Sequence, residues 1–273
     1  MSDNRQQRAA LPLAARDLYF AYRGRPVLTG ASLSLQSGEV VSLLGTNGSG
    51  KSTLLRLLLG FNTPHRGEVL LAGKPLHSYR RRQIALHIAY VPQMHVTPFP
   101  YPVREVVVLG RLPATGLGRA PSRSDYEIVD IMLERLGIAH LAKRAYTEIS
   151  GGERQLTLIA RALAQGARTL VLDEPMTGLD YGHQLRLIER LCGLAAEGYA
   201  VLKTTHHPEH ALLASTRVAL LCDGRIDADG PPATVVIPSA IERLYGVRVE
   251  AHRCGPHTSF FPATTVADSS DCS

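Results

Sequence analysis

Tryptophan is absent from the sequence, and phenylalanine and tyrosine together supply only 5% of its 273 residues. Sites for single-stranded nucleic acid use aromatic rings as stacking platforms, so this composition argues against such a site. No run of about eighteen apolar residues occurs, so no helix able to span a bilayer is expected. The four cysteines lack C-x-x-C spacing and are too few for a disulfide framework, which favours a reducing, cytoplasmic setting.

The remaining composition is that of a globular protein. Hydrophobic residues make up 45% and charged residues 20%, and a chain of 273 residues can bury a sizeable core. This length fits one large domain or two small ones. The formal net charge of +6 suits nucleic acid, nucleotides or an anionic membrane face equally, so charge alone does not select a partner.

Strands and helices alternate in the predicted secondary structure. Short strands fill the first forty residues, Glu39–Leu44 predicts a buried strand, and the leucine-rich segment Lys51–Leu59 predicts a buried helix. The alternation returns over Thr169–Cys222, whereas Tyr79–Ala145 is predicted to be all-helical. This order predicts an α/β fold with a mostly parallel sheet and helices on both faces. After Val249 the chain is rich in Ser, Thr, His and Pro, and we expect a loose tail.

A glycine-rich segment lies between the buried strand and the buried helix, and it fits the P-loop pattern G-x-x-x-x-G-K-[ST]. Its residues are Gly45, Thr46, Asn47, Gly48, Ser49, Gly50, Lys51, Ser52 and Thr53. Glycines let the backbone wrap a phosphate chain, and the N–H groups and the helix N-terminus favour an anion. In this pattern Lys51 reaches the β- and γ-phosphates and Ser52 holds Mg²⁺. The alternative is a chance glycine-rich turn, which the strand–loop–helix context disfavours.

Two adjacent carboxylates, Asp173 and Glu174, follow the apolar run Thr169–Leu172. A parallel strand delivers its C-terminal residues to the crevice where ligands bind in α/β proteins. There Asp173 would support the metal directly or through water, and Glu174 would polarise the attacking water. Alone, the pair is equally consistent with exposed acids at a strand end, and the P-loop in the same chain favours the catalytic interpretation.

A third segment combines Ser150, Gly151, Gly152 and Glu153. Ser150 and Glu153 have the spacing of an ordinary helix capping box. That interpretation leaves the two glycines unexplained, because glycine in a first helical turn costs stability. Two glycines also let another group approach the backbone closely, and a helix N-terminus favours an anion.

The order of these three motifs resembles that of the ATP-binding cassette (ABC) ATPases, over about residues 13–249. Tyr22 resembles the aromatic residue that stacks on adenine, and Gln93 resembles the glutamine of the Q-loop. Thr177–Asp180 resembles the D-loop, and His206 resembles the switch histidine near the γ-phosphate. The resemblance implies that Tyr22, the P-loop, Gln93, Ser150–Gly152 and Asp180 contact nucleotide.

ATP and Mg²⁺ are the cofactors that this resemblance implies. It assigns the metal to Ser52, Gln93 and Asp173, and catalysis to Glu174, His206 and Lys51. The sequence departs from the family pattern at Ile149, Met176, Leu156–Thr157 and His207. The last departure leaves open whether His207 shares the role of His206, and the register favours His206.

The resemblance also implies an architecture and an assembly. We expect a P-loop NTPase core, an N-terminal antiparallel β subdomain and an inserted helical subdomain at about residues 95–165. The ATPase domain is expected over residues 1–249 and a flexible tail over 250–273. Family members pair head to tail, with ATP between one chain's P-loop and the other's signature segment, which Ser150–Gly152 resembles in this chain. One set of motifs in this chain implies a homodimer.

The segment Pro98–Arg111 resembles ATPases of bacterial importers for iron–siderophores, haem and cobalamin, and Leu244–Val247 resembles their C-terminus. This resemblance implies two separate integral-membrane permease subunits and, indirectly, a periplasmic substrate-binding protein. It places the chain peripherally on the cytoplasmic face of the bacterial inner membrane. Haem is the first choice of cargo, and siderophore or cobalamin import stays open because the ATPase does not touch the cargo.

Two other classes stay open, an exporter ATPase and a soluble ABC ATPase of DNA repair or translation. Repair members carry long coiled coils between the motifs and translation members carry two cassettes, and neither feature occurs in this sequence. Arg80–Arg82 could contact nucleic acid, but a solvated or membrane-proximal face is favoured, so we expect no nucleic-acid partner. His206 and His210 have the spacing of a zinc pair, yet no third ligand is evident.

Overall fold

The computed structural model of the protein describes residues 12–93, 99–116, 118–254 and 257–263. Its strands are β1 (Leu13–Tyr22), β2 (Arg25–Leu35), β3 (Val40–Leu44), β4 (Arg66–Leu71), β5 (Lys74–Pro75), β6 (Ile88–Val91), β7 (Thr169–Leu172), β8 (Ala200–Thr205), β9 (Arg217–Cys222), β10 (Arg225–Gly230), β11 (Val249–Cys254) and β12 (His257–Pro262). Its α-helices are α1 (Lys51–Leu58), α2 (Arg81–His87), α3 (Val103–Val108), α4 (Leu112–Thr115), α5 (Arg123–Arg135), α6 (Gly151–Ala164), α7 (Tyr181–Ala196), α8 (Pro208–Ala214), α9 (Pro232–Val235) and α10 (Pro238–Tyr245). Among these residues, no helix has both the length and the apolar character that crossing a membrane requires.

The central sheet has six strands in the order β10-β9-β3-β8-β7-β6. Five of them run parallel, and the edge strand β10 is antiparallel to β9. Every residue of β3, β7 and β8 is buried, as expected for strands covered on both faces. The predicted mostly parallel sheet is therefore confirmed. Because the parallel strands point the same way, the loops after β3, β6, β7 and β8 all leave the sheet at one edge.

The N-terminal part of the chain forms a second, antiparallel sheet with strand order β2-β1-β4-β5. Its apolar face packs with α1 and with one face of the central sheet in a shared cluster that includes Leu18, Leu28, Leu54 and Leu57. The predicted N-terminal antiparallel β subdomain is confirmed. This cluster holds α1, the helix that follows the P-loop, between the two sheets.

One strand of the central sheet was not predicted. The segment from Tyr79 was expected to be all-helical, but Ile88–Val91 forms β6, which pairs in parallel with β7. Four apolar residues carry too little periodicity to distinguish a strand from a helix, and the pairing partner lies about eighty residues away in sequence. The correction matters for function because β6 leads directly to Gln93.

Helices α3, α5 and α6 pack together and form the helical segment inserted between β6 and β7. Their shared core includes Val106, Val107 and Leu133. Ser122 is the N-cap of α5, and its hydroxyl accepts a hydrogen bond from the backbone N–H of Asp125 at the third position of the helix. Pro98, the first residue of the segment Pro98–Arg111 that resembles importer ATPases, lies outside the described residues.

The C-terminal region contains more structure than the expected loose tail. Strands β11 and β12 form an antiparallel hairpin in which six residue pairs are in register. Val249 and Phe260 pack against a buried cluster that includes Leu44 and Ile241, and this packing gives the polar segment an apolar anchor. Residues 264–273 lie outside the described residues, and the domain boundary at 249 stays a prediction.

Candidate active site

An open pocket with a volume of about 590 Å³ lies where the loops after β3, β6, β7 and β8 meet. Its lining residues are Tyr22, Val27, Asn47, Gly48, Gly50, Lys51, Ser52, Thr53, Gln93, Asp173, Glu174, Thr177 and His206. Gly45 and Ser49 are not among the lining residues, but they belong to the same P-loop. Ser150, Gly151, Gly152 and Asp180 are not among the lining residues.

The loop after β3 adopts a shape that depends on glycine. Gly48 and Gly50 have φ values of 84° and 104°, which side chains other than glycine rarely adopt. A Cβ at Gly45 would lie 2.6 Å from a backbone oxygen of β9 and 2.7 Å from Ser49 Oγ. Ser49 Oγ is buried without a hydrogen-bond partner, and the first N–H groups of α1 have no intrahelical acceptor. A phosphate chain would supply the missing acceptors, so the loop fits one.

Lys51 reaches back over this loop from the first position of α1. Its buried Nζ donates to the carbonyl oxygens of Gly45 at 2.8 Å and Thr46 at 3.0 Å. Nζ also lies 3.8 Å from Oε1 of Glu174. Burial lowers the pKa of Lys51, and the carboxylates of Glu174 and Asp173 counteract only part of that shift. The side chain thus links the phosphate loop to the acidic end of β7.

The groups expected to hold a cation lie together at the pocket floor. The Ser52 hydroxyl donates to Oδ2 of Asp173 at 3.4 Å, and Gln93 leads from β6 into the same pocket. Hydroxyl, carboxylate and amide oxygens suit Mg²⁺, which keeps waters and takes phosphate oxygens as further ligands. Within the described residues, no three His, Cys, Asp or Glu side chains converge in a way that could hold a metal by themselves. The donor set therefore fits Mg²⁺ bound together with a phosphate.

Glu174 has both a special backbone conformation and a full set of hydrogen-bond partners. Its φ is 45°, in the left-handed region that non-glycine residues adopt mainly at functional or strained positions. Oε1 lies 3.0 Å from Nδ1 of His206, and Oε2 accepts from Thr177 at 3.0 Å and Gln93 at 3.3 Å. Burial alone would raise the pKa of Glu174, but His206, Thr177 and Lys51 together hold it below its ordinary value. The carboxylate is thus kept ionised although its side chain is buried.

The two histidines after β8 face different surroundings. Nδ1 of His206 must carry a proton to bond the Glu174 carboxylate, so Nε2 is the ring atom left to meet a ligand. His207 precedes α8, its ring lies 4.8 Å from that of His210, and it does not line the 590 Å³ pocket. Burial and the charge of His206 lower the pKa of His207. Of the two, His206 is the one that lines the pocket.

Thr204 connects the two acids, and sequence reasoning missed it. Its buried hydroxyl accepts a hydrogen bond from the backbone N–H of Glu174 at 2.8 Å and donates to Oδ1 of Asp173 at 2.7 Å. A threonine inside an apolar strand carries no sequence signal for such a role, because it reads as a packing residue.

Tyr22 lies at the rim of the pocket and is 41% exposed. Its ring meets Phe20 edge to face at 4.8 Å, and its hydroxyl accepts a hydrogen bond from Asn62 at 3.0 Å. The ring is therefore held in place while part of it faces solvent, as an aromatic platform for a base requires.

The predicted signature segment caps α6 and lies apart from the pocket. Ser150 Oγ accepts from the backbone N–H of Glu153 at 3.3 Å, and a Glu153 carboxylate oxygen accepts from the Ser150 N–H at 2.7 Å. The predicted capping box of Ser150 and Glu153 is therefore confirmed. Ser150 and Gly151 are exposed at this helix start, so they are available to a second molecule.

Gly152 has a packing reason inside the chain that the sequence did not reveal. A Cβ at this position would lie 2.3 Å from Cδ2 of His183, whereas one at Gly151 would lie 3.7 Å from its nearest neighbour. Asp180 is the N-cap of α7 and holds the His183 ring, since Nδ1 lies 2.6 Å from its carboxylate. The structure thus explains Gly152 without a ligand and leaves only Gly151 without an internal reason.

Comparison with known proteins agrees with this geometry. Residues 28–177 match the family model for ABC transporters, which covers more than half of the chain. The chain belongs to the ABC transporter family. The hemin import ATP-binding protein HmuV of Bordetella bronchiseptica is 41% identical over 249 residues, covering 88% of this chain and 94% of that protein. The cobalamin import ATP-binding protein BtuD of Halobacterium salinarum is 39% identical over 246 residues, covering 90% of this chain and 61% of that protein.

Solved structures of ABC transporters share the fold. A metal-chelate type ABC transporter in an inward-facing conformation superposes with a TM-score of 0.82 at 30% identity, over 93% of this chain and 98% of that one. An ATP-binding cassette in its ADP conformation gives a TM-score of 0.79 at 25% identity, over 86% and 99% of the two chains. The chain is thus an ABC ATPase, of the family that couples ATP hydrolysis to transport, and the predicted family and fold are confirmed.

Proposed function

We propose that this chain is the ATP-hydrolysing subunit of an importer for haem, another iron complex or cobalamin. The observation that carries the proposal is the convergence of Lys51, Ser52, Asp173, Glu174 and His206 on one pocket. These side chains supply a cation for phosphate, oxygen ligands for a metal, an ionised base and an imidazole. Together they are the groups that hydrolysis of a nucleoside triphosphate needs.

In the proposed complex, Tyr22 stacks on adenine and the P-loop amides with Lys51 hold the phosphates. Ser52, Asp173 and Gln93 hold Mg²⁺, which when bound neutralises charge on the phosphate oxygens. Two observations support this arrangement. The loop holds hydrogen-bond donors that lack a partner, and the Ser52 hydroxyl already contacts Asp173.

Glu174 is the proposed general base. Its lowered pKa keeps it ionised near neutral pH, so it can accept a proton from the attacking water. The hydrogen bond to Nδ1 of His206 orients the imidazole, and Nε2 of that ring then faces the γ-phosphate position. Gln93 contacts the same carboxylate at 3.3 Å and would have to move when substrate enters, which links catalysis to the loop after β6.

The proposed assembly is a head-to-tail homodimer. Ser150, Gly151 and Asp180 do not line this chain's own pocket and lie at the exposed starts of α6 and α7. Gly151 has no internal packing reason, so its missing side chain suits a group supplied from outside. Tyr181 beside Asp180 is 71% exposed, and exposed aromatic rings are enriched at interfaces. We infer that a second copy brings its P-loop nucleotide to this surface.

The proposed permease contact is an apolar groove of about 480 Å³ at the junction of the central sheet and the helical segment. Its apolar lining residues include Leu59, Phe61, Ile84, Tyr90, Leu109 and Leu112. Phe99 and Tyr101 stand at the start of the helical segment, meet edge to face at 6.0 Å and are 60% and 50% exposed. Such a surface fits one cytoplasmic helix of a permease subunit, so the two chains of the dimer would bind two permease subunits. The chain would then lie peripherally on the cytoplasmic face of the membrane. A periplasmic binding protein would deliver the cargo from the other side.

Reconstitution with candidate permeases for haem, ferric siderophores and cobalamin tests the proposal. Proteoliposomes should take up haem, a ferric siderophore or cobalamin when ATP is supplied on the side of this subunit, and Glu174→Gln should abolish uptake. Haem is the cargo we expect first. Transport of cargo away from the side that carries this subunit would contradict the importer assignment. An ATPase rate that does not change when any of these permeases is present would also contradict it.

A further inference from the structure

The last helix of the cassette reaches the proposed active site through one side chain. Tyr245 ends α10, and its hydroxyl donates a hydrogen bond of 2.7 Å to the backbone carbonyl of His206. Gly246, with φ 68°, terminates the helix directly after it. This bond joins residues that are 39 positions apart. It connects the end of α10 to the backbone of the residue that carries the imidazole.

The tyrosine ring is itself fixed by packing. It rests against a buried cluster that includes Ala211 of α8, Ile241 of α10 and Leu44, the residue before the P-loop. Burial, with the charges of Glu209 and Glu174, raises the pKa of Tyr245 to about 12, so the hydroxyl keeps its proton at any physiological pH. The donor is therefore packed against the buried cluster and stays protonated.

The carbonyl that it contacts has no role in the neighbouring helix. The first bond of α8 uses the His207 carbonyl, which accepts from the Ala211 N–H at 3.3 Å. Pro208 follows His207 and has no N–H. The N–H of the His206–His207 peptide donates to the Thr205 hydroxyl at 3.1 Å, and the carbonyl of that peptide is the group that Tyr245 contacts. The contact with Tyr245 therefore restrains the peptide from which the His206 ring projects towards Glu174.

We propose that Tyr245 is a positioning residue for catalysis, holding the His206 backbone so that its imidazole meets both Glu174 and the γ-phosphate. This inference rests on the proposed role of His206. It makes α10 a structural part of the hydrolytic site, because loss of one hydroxyl at its end removes the hydrogen bond to the carbonyl of the peptide that carries the imidazole.

Tyr245→Phe tests the inference, since it keeps the ring in the cluster and removes only the hydroxyl. Tyr79→Phe is the matched control, because the Tyr79 hydroxyl also donates to a backbone carbonyl, that of Leu71 at 3.0 Å, away from the pocket. One lost neutral hydrogen bond that acts on the transition state predicts a kcat about 3- to 10-fold lower for Tyr245→Phe. The KM for ATP and nucleotide binding should stay near wild type, and Tyr79→Phe should keep full kcat.

The outcomes separate this inference from the proposed function. If Tyr245→Phe and Tyr79→Phe have the same kcat, the positioning role is overturned. If His206→Ala hydrolyses ATP at the wild-type rate, the proposed role of His206 fails instead. In the His206→Ala background, Tyr245→Phe should cause no further loss of residual turnover. An equal further loss there would show that the hydroxyl acts through general stability, and the inference would fall.

Discussion

Thr204 offers the sharpest test of how the two acids are held. Thr204→Val removes one hydroxyl and changes the side-chain shape little. It breaks the 2.8 Å bond from the Glu174 backbone N–H and the 2.7 Å bond to Oδ1 of Asp173. The first bond restrains a residue whose φ of 45° is unfavourable for glutamate, so its loss should let Glu174 relax.

The expected cost follows from these two bonds. A buried backbone N–H left without an acceptor costs about 1–3 kcal/mol, and a hydrogen bond to a charged group contributes about 1.5–3 kcal/mol. Asp173 is only partly buried, so water can replace part of the second bond. We therefore expect Thr204→Val to lower the free energy of unfolding by about 2–4 kcal/mol. Because misplacing a catalytic group by about 1 Å can cost about 10²-fold, kcat should fall by about 10- to 100-fold.

Urea denaturation and steady-state ATPase assays measure the two effects, and Thr204→Ser is the matched control because it keeps the hydroxyl. The serine variant should retain most of the stability and most of kcat. If the valine variant is as stable and as active as the serine variant, the hydroxyl does not hold the acids and this reasoning is wrong.

Three further predictions concern assembly, coupling and pH. Mixing inactive Lys51→Ala and Ser150→Arg chains should restore part of the ATPase activity through one intact composite site per heterodimer, and mixtures that stay inactive although heterodimers form would refute the head-to-tail pairing. Tyr101→Ala should leave ATP binding by the isolated subunit unchanged while weakening permease association, whereas an equal loss of ATP binding would indicate a packing role. Burial lowers the pKa of Lys203 from 10.5 to about 7, so the unfolded chain binds more protons between these pH values and stability should rise with pH across that window. Between pH 7 and 9 the rise should be about 2 kcal/mol larger for wild type than for Lys203→Met in urea denaturation, and parallel pH profiles would show that Lys203 stays charged in the folded state.

The parts of the site that could be predicted from the sequence are those whose chemistry is local. A P-loop needs glycines, Lys51 and Ser52 in one short run, and Asp173 with Glu174 follows its strand directly. Parallel strands then bring these separate runs together, because their carboxyl ends share one edge of the sheet. Pattern and topology together therefore brought Lys51, Ser52, Asp173 and Glu174 to one pocket.

The parts that were missed depend on contacts between distant segments. Thr204 acts through hydrogen bonds to residues 30 and 31 positions away, and Tyr245 acts through one hydrogen bond to a residue 39 positions away. Gly152 is required by a ring contact with His183, which no local pattern encodes. Strand β6 and the C-terminal hairpin were misjudged for the same reason, since pairing and packing partners outweigh the composition of a short segment.

Glu174→Gln tests most directly the claim that this pocket hydrolyses ATP with Glu174 as its base. The substitution keeps the shape of the side chain but replaces one carboxylate oxygen by an NH2 group, so the side chain loses its negative charge and its ability to take a proton. The amide oxygen can still accept from Thr177 or from His206, but not from both. ATP binding, measured by calorimetry, should remain close to wild type, while turnover falls by about 10²- to 10⁴-fold. Hydrolysis near the wild-type rate in this variant would contradict the account.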